Sequence, residues 1–366
     1  MSDVARPRVS YLHGRPKPHP LHGRFAETVG GEFEYIDFRM RWQDRAKSRL
    51  YTIASWLLCA ATLPNRRDFD VFLIDNLHIG PVLMKRLFLR RNQKIVVHLG
   101  SHTLYFLRSH RFHSRVEKLH LWALRQYDAL LCEGSMAADI ARELLGADCP
   151  PCYETFLGPP AERAESLSRI EPRLEGKRIL FISGGPGEFR MHYKGLDLMV
   201  DAVGRAAVRD PELEFDILGA WDDDIIERCM APVAEDVRER IHFRGQVDGV
   251  ADWLAEASLY LHCTRGDAFP TATVEAMTAG VVPIISEWTG TRQIVGEVDD
   301  RLIVELDAGA IADRIEWYFQ LPAEERTRLS AKGRTAVAGY TEESAREHYS
   351  TTFDQVCDDL GITRSR

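Results

Sequence analysis

The chain is 366 residues long, 45% hydrophobic and 28% charged, which excludes a disordered or fibrous polypeptide and, at roughly 150 residues per domain, predicts two globular domains. The formal net charge of −8 hides an uneven split: residues 1–158 hold 23 Lys and Arg against 16 Asp and Glu, and the remainder 24 against 39. A basic first half joined to an acidic second half points to an anionic partner for the first, a membrane surface or a phosphorylated acceptor, unless Lys85, Arg86, Arg90, Arg91 and Lys94 merely solvate one helix end. No nucleic-acid partner is expected.

The opening residues MSDVARPRVS lack the apolar run of a secretory signal. The longest apolar run, Ile53 to Leu63, is too short for the roughly 20 residues of a membrane span. The expectation is a cytoplasmic protein, peripheral at the inner membrane face if the basic half docks there. Seven cysteines, an odd number, argue for free thiols rather than a disulfide framework. Cys149-Pro-Pro-Cys152 has no second pair or His-x-His partner downstream, so it reads as a plain interdomain connection and no metal is assigned to it.

Short β-branched runs alternate with helical patterns along the whole chain, the signature of βαβ units and parallel sheets. In the first half, Val9–Leu12, Glu34–Phe38, Val71–Asp75, Ile95–His98 and Ala129–Cys132 read as strands, with helices at Ala46–Leu63, Val82–Arg91 and Met136–Leu145. A polar, proline-bearing stretch without a strand pattern, residues 159–177, reads as a linker. A second series follows, with strands at Arg178–Ile182, Phe215–Leu218, Ile241–Phe243, Leu259–His262, Val282–Ser286 and Leu302–Val304, and from Ala308 the chain is helical to its end. The predicted fold is α/β, two Rossmann-like doubly wound domains. Ligand sites in such sheets lie beyond the carboxyl ends of the strands.

Two motifs occupy such places. After Leu259–His262 come Gly266-Asp267-Ala268-Phe269-Pro270-Thr271, Glu275-Ala276-Met277-Thr278-Ala279-Gly280, Pro283-Ile284-Ile285-Ser286 and Thr289-Gly290-Thr291. Pro270 fits the first turn of a helix, whose free N–H groups attract phosphate or sugar oxygens, and Asp267 or Glu275 suits a ribose diol. After Arg178–Ile182 come Ser183-Gly184-Gly185-Pro186-Gly187 and then Arg190 and Lys194-Gly195, a glycine-rich loop entering a helix with a mobile positive charge. Alone the glycines are weak, because no P-loop or Gly-x-Gly-x-x-Gly is present.

Together these segments resemble the signature region of the family 4 glycosyltransferases, retaining enzymes of the GT-B fold. The resemblance covers residues 178–360 and includes the turn His242-Phe243-Arg244-Gly245-Gln246-Val247. It implies a first domain over 1–158, a nucleotide-sugar domain over 178–340 and a C-terminal helix, 341–366, returning to the first domain. It further implies that Glu275 binds the donor ribose and that Asp267, where the family has Glu, approaches the transferred sugar. Lys194 then binds the diphosphate, with Arg190 substituting for an arginine the family carries five residues before that lysine. Gly184, Gly185, Val247, Phe269, Pro270 and Thr271 complete the donor site. His98 matches a histidine that faces the donor sugar, although a histidine at a strand end is as often structural. Gly14 and Arg15 stand in the acceptor-side loop.

The implied reaction moves a hexose from a nucleoside-diphosphate sugar to an acceptor hydroxyl, in cell-surface glycan or glycolipid synthesis, with the lipid-linked or glycan acceptor on the basic side. No cofactor and no metal are expected. A catalytically silent binding subunit or a sugar-nucleotide epimerase on the same fold are the alternatives. Asp222–Asp224 looks like a metal-binding acidic motif but reads as a helix opening, and Trp253, Trp317 and Tyr318 read as core.

Overall fold

The structure is a computed structural model that describes residues 7–13, 17–19, 22–35, 67–75, 79–111 and 114–362. The chain forms two compact units, one of Met1–Phe156 with Ala345–Arg366, the other of Leu157–Ser344.

In the first unit the described elements are β1 (Val9–His13), α1 (His22–Thr28), β2 (Gly31–Tyr35), β3 (Val71–Asp75), α2 (Ile79–Phe88), β4 (Lys94–Leu99), α3 (Ser101–Arg108), α4 (Ser114–Leu124), β5 (Ala129–Glu133), α5 (Gly134–Leu145) and β6 (Cys152–Thr155). The six strands are parallel in the order β2-β1-β3-β4-β5-β6. Strands covered on both faces read as unbroken apolar runs, and β3 is buried at every residue. The strand order reverses between β1 and β3, and there the last residue of β3, Asp75, stands in register beside His98 of β4.

The second unit runs α6 (Ala161–Ser168), β7 (Arg178–Ile182), α7 (Gly187–Lys194), α8 (Leu196–Arg209), β8 (Glu214–Leu218), α9 (Asp223–Met230), α10 (Glu235–Arg238), β9 (Ile241–Gly245), α11 (Ala251–Glu256), β10 (Leu259–His262), α12 (Thr271–Thr278), β11 (Val282–Ser286), α13 (Arg292–Val298), β12 (Ile303–Val304), α14 (Ala308–Gln320) and α15 (Ala323–Val337). Its sheet is also parallel, in the order β12-β11-β10-β7-β8-β9, and reverses between β10 and β7. Leu180, Leu218, Leu254, Tyr260 and Ala276 form one buried cluster beside that reversal, where each fully buried large apolar side chain contributes about 1.5–3 kcal/mol. The last helix, α16 (Glu342–Asp359), rejoins the first unit: Tyr349 stacks on Phe25 at 4.7 Å and Tyr153 donates to Asp359 at 2.7 Å.

The departures from the sequence expectations sit at edges. β2 begins three residues before the expected Glu34–Phe38, of which residues 36–38 lie outside the described residues; it is an edge strand whose glutamates face polar partners, and Ser10 donates to Glu34 at 3.1 Å. Cys152 opens the opposite edge strand, β6, with its Sγ 3.6 Å from that of Cys149; only Thr155 of its four residues is buried, so the strand shows no apolar run. α2 starts three residues early, since Pro81 is tolerated in a first turn. The linker 159–177 holds α6, which buries only Leu167 and so shows no helical period. Tyr318 is core and donates to the Ser258 carbonyl at 2.7 Å. Trp317 is instead half-buried between Arg301 and Arg314, at 4.7 and 5.5 Å. The helix expected at Ala46–Leu63 lies outside the described residues.

Candidate active site

The glycine-rich loop after β7 and the loop after β10 meet at the sheet reversal of the second unit, the place where open α/β sheets bind ligands. Arg190, in α7, folds back so that its Nε donates to the Gly184 carbonyl at 3.0 Å. The Gly185 N–H is taken by the Ala220 carbonyl at 2.8 Å and the Gly187 N–H by Asp222 at 2.8 Å. These two amides are therefore already satisfied by protein. Lys194 is the last residue of α7, and Gly195 ends that helix in a left-handed conformation, φ +69°. A Cβ at Gly195 would stand 2.0 Å from the Cys263 carbonyl oxygen, so only glycine lets the helix end approach the strand end this closely.

That approach brings Lys194 into an ion pair with Asp267, both about nine-tenths buried. The Asp267 carboxylate also meets His262 Nε2 at 3.1 Å, while Tyr260 bonds the other ring nitrogen at 3.0 Å. Burial alone would raise the Asp267 pKa; Lys194 and then His262 outweigh it and hold the carboxyl well below the usual range. Its backbone is fixed too: Thr264 Oγ1 accepts its N–H at 3.2 Å, and its carbonyl accepts the Gly290 N–H at 2.7 Å. A Cβ at Gly290 would fall 1.5 Å from the Ala268 oxygen.

Glu275, in the second turn of α12, is buried and gripped by both oxygens: Arg163 of α6 reaches them at 2.7 and 2.8 Å. Burial pushes its carboxyl up, and the guanidinium opposes the shift. Pro270 stands at the N-cap, one residue before the expected first turn, and Thr271 begins α12 without a side-chain cap. Phe269 stacks on Tyr340 at 6.0 Å, and Val247 packs on the apolar cluster around Tyr260. His262, Tyr260, Thr264 and Arg163 were not visible as site residues in sequence. The first three lie in or just after β10, which is a usable signal. Arg163, in a segment with no period, gave none.

In the first unit, His98 is fully buried within a cluster of histidines and carboxylates at the strand ends. Asp75 meets His22 Nδ1 at 2.7 Å, His13 Nδ1 at 3.1 Å and the Tyr11 hydroxyl at 3.2 Å. His22 Nε2 meets Glu133 at 2.5 Å, and the His22 ring lies 4.1 Å from His19 and 4.0 Å from His98. Burial alone would lower His22, but Glu133 and Asp75 push it up to about 10. Burial, with protonated His22 adding to it, drives His98 down to about 3. Gly14 and Arg15 lie outside the described residues.

Residues 176–320 match the family described as Glycosyl transferases group 1. Over 217 residues the chain is 30% identical to the phosphatidyl-myo-inositol mannosyltransferase of Mycobacterium tuberculosis, covering 56% of this chain and 54% of that protein. A shorter stretch of 110 residues is 28% identical to the phosphatidylinositol N-acetylglucosaminyltransferase gpi3 subunit of Schizosaccharomyces pombe, 29% of this chain and 24% of that one. The chain thus spans about half, or less, of the length of these curated relatives. Among solved structures, the sucrose-phosphate synthase of Thermosynechococcus elongatus matches with a TM-score of 0.70 at 14% identity, over 97% of this chain and 100% of that one. An Anabaena protein solved with UDP and glucose matches at 0.66 and 11%, over 97% and 99%. At these identities the structures show the fold: two parallel six-stranded sheets with surrounding helices, as in the GT-B glycosyltransferases.

Proposed function

We propose, for a chain whose residues 176–320 belong to the group 1 glycosyltransferases, that it moves a hexose from a nucleoside-diphosphate sugar to an acceptor hydroxyl with the anomeric configuration retained. The buried pair Lys194–Asp267 at the sheet reversal carries this reading. Lys194, Arg190 and the uncapped start of α12 supply the positive field that a departing diphosphate needs, and preorganised groups of this kind are usually the largest single term in catalysis. Neutralising the diphosphate in this way requires no metal ion at the donor site.

A carboxylate offers about four acceptor directions. Arg163 takes one on each oxygen of Glu275, and the remaining pair suits the ribose diol. Asp267 has its charge committed to Lys194 and His262, so it serves as a fixed acceptor for sugar hydroxyls rather than a covalent nucleophile. Same-face attack follows: the acceptor oxygen bonds the anomeric carbon as the diphosphate leaves, and the leaving phosphate takes the acceptor's proton.

The mycobacterial relative is named for a lipid acceptor, and a lipid-linked acceptor is the reading we carry over, with this chain docked on the cytoplasmic face of an anionic membrane. Arg86, Leu87, Arg90 and Arg91 are exposed around the end of α2. Lys85 and Lys94 are turned to Asp128, at 2.9 and 4.0 Å, so the docking face is narrower than the run of basic residues suggests. No helix among the described residues is long and apolar enough to cross a membrane. A thermal-shift panel of nucleoside diphosphates and their sugars tests the donor assignment, since a ligand bound only by the folded chain raises its stability by mass action. At least one sugar nucleotide should raise Tm and release its diphosphate on incubation; a panel with no shift and no release overturns the reading.

A further inference from the structure

The first unit carries a thiol cluster at the edge of its sheet that the transfer reaction does not use. Three of the six cysteines among the described residues meet there: Cys132 in β5, and Cys149 and Cys152 on either side of the turn into β6. We propose that Cys149 and Cys152 form a reversible dithiol–disulfide pair, with Cys152 as the attacking thiolate, Cys149 as the resolving thiol and a soluble disulfide of the glutathione class as oxidant. This goes beyond the transfer reading and does not depend on it. Ligands of open α/β sheets sit beyond the carboxyl ends of the strands, whereas Cys152 is the first residue of β6.

The turn presents the two sulfurs to each other. Cys149 follows the 3₁₀ turn Gly146–Asp148, its N–H bonds the Gly146 carbonyl at 3.1 Å, and its backbone is extended, as a residue before proline prefers. Pro150 and Pro151 hold two successive φ angles near about −65°. The Pro151 carbonyl accepts the Leu130 N–H at 2.9 Å, which ties the far end of the turn to β5. Between these anchors the sulfurs stand 3.6 Å apart. A disulfide needs about 2.05 Å, a closure of the size that side-chain rotation supplies. Both residues are half-buried, so a small disulfide can reach them, whereas Cys132 is fully buried.

The surroundings choose which sulfur ionises. The Cys132 S–H donates to Cys152, the Cys149 S–H does so as well and Arg142 of α5 adds positive charge; together they outweigh burial and bring Cys152 down to about 7. Burial, and after it the charge on Cys152, pushes Cys149 up to about 12. The thiolate is the nucleophile in disulfide exchange, and the best attacker has a pKa near the ambient pH. Cys152 releases its proton to solvent and attacks one sulfur of the soluble disulfide. That S–S bond breaks, and the first thiolate leaves and takes a proton. With the charge on Cys152 gone, Cys149 loses its proton more readily, and its sulfur attacks Cys152 Sγ while the second thiolate leaves and is protonated. The two protein thiols thus lose two electrons and two protons, and the soluble disulfide gains both as two thiols. An excess of a thiol reductant runs both steps backwards.

The full-length chain should be equilibrated without oxygen in buffers of reduced and oxidised glutathione at graded ratios, quenched in acid, alkylated and mapped by peptide mass spectrometry. Two thiols per chain should disappear together, joined as Cys149–Cys152, and return on treatment with dithiothreitol. Cys149→Ser should stop the reaction at a glutathione adduct on Cys152, and Cys152→Ser should abolish both products. In the reduced chain, alkylation of Cys152 by iodoacetamide should follow a pH midpoint near 7, and Cys132→Ala should move that midpoint up toward the ordinary value of about 8.5. Three results overturn the proposal: both thiols intact in the most oxidising buffer, a disulfide that joins Cys132 instead, or a Cys152 midpoint at or above the ordinary value. So does stoichiometric Zn²⁺ bound to the reduced thiols, which would make the cluster a metal site. Should the variants fail to fold, the parent's map and midpoint decide alone.

Discussion

Asp267 is one methylene shorter than the glutamate of the family it resembles, and Lys194 and His262 fix the charge it carries. Its folded pKa lies below the ordinary aspartate value of about 3.9. The pair therefore stabilises the fold fully at neutral pH, and that contribution is lost as pH falls through the unfolded value toward the folded one. The stability gap between the parent and Asp267→Asn, read by urea denaturation, should hold steady from pH 7 to about 5 and shrink below about 4; a gap that widens on acidification contradicts the assigned pair. Glu275 lies on the binding side of the same chemistry. Hydrogen bonds to a charged group are worth about 1.5–3 kcal/mol, so Glu275→Ala should weaken donor binding by about 10- to 150-fold in calorimetry while the fold persists. Wild-type affinity for every sugar nucleotide would move the ribose elsewhere.

At the scale of elements, the site depends on two close backbone approaches, at Gly195 and Gly290. Either glycine changed to alanine places a Cβ inside van der Waals contact of a backbone oxygen, at 2.0 and 1.5 Å. A forced backbone conformation costs about 1–3 kcal/mol. Gly290→Ala should thus lower stability by at least that much and reduce donor affinity together with it; a variant with the parent's Tm would show that the loop after β10 has room to move. The same scale explains what the sequence made legible. Arg178–Ile182, Leu259–His262 and Val282–Ser286 are central strands, apolar but for the terminal Arg178, His262 and Ser286, and their ends fall at the observed residues. Lys194, Asp267 and Glu275 were visible because they follow those strands in a recurring pattern. The edge strands β2 and β6 and the short helix α6 bury too little to impose a period. Arg163, which grips Glu275, and the partners of His98 come from such places or from distant turns, and local spacing does not encode which of them will meet.

At the scale of the whole molecule, charge divides with the units. With residues 345–366 counted in, the first unit holds 26 Lys and Arg against 20 Asp and Glu, and the second 21 against 35. Arg86, Arg90 and Arg91 flank the exposed Leu87, and each basic residue near an anionic surface contributes about 1 kcal/mol. Reversible docking should result, weakening as added salt shortens the Debye length below roughly 8 Å. Cosedimentation with vesicles rich in phosphatidylserine should show binding at low salt that falls with ionic strength and with Arg90→Glu/Arg91→Glu. Binding indifferent to lipid charge would favour a soluble acceptor.

The central claim is that Lys194 stabilises a departing diphosphate. Its most direct measurement is the turnover of Lys194→Ala at saturating donor, with whichever sugar nucleotide the parent consumes. Loss of one electrostatic donor to a developing charge costs about 10²–10³ in kcat, so the variant should turn over more slowly by that factor while still shifting in Tm with the bound nucleotide. Equal kcat in the variant and the parent would contradict the assignment and place the diphosphate site elsewhere in the molecule.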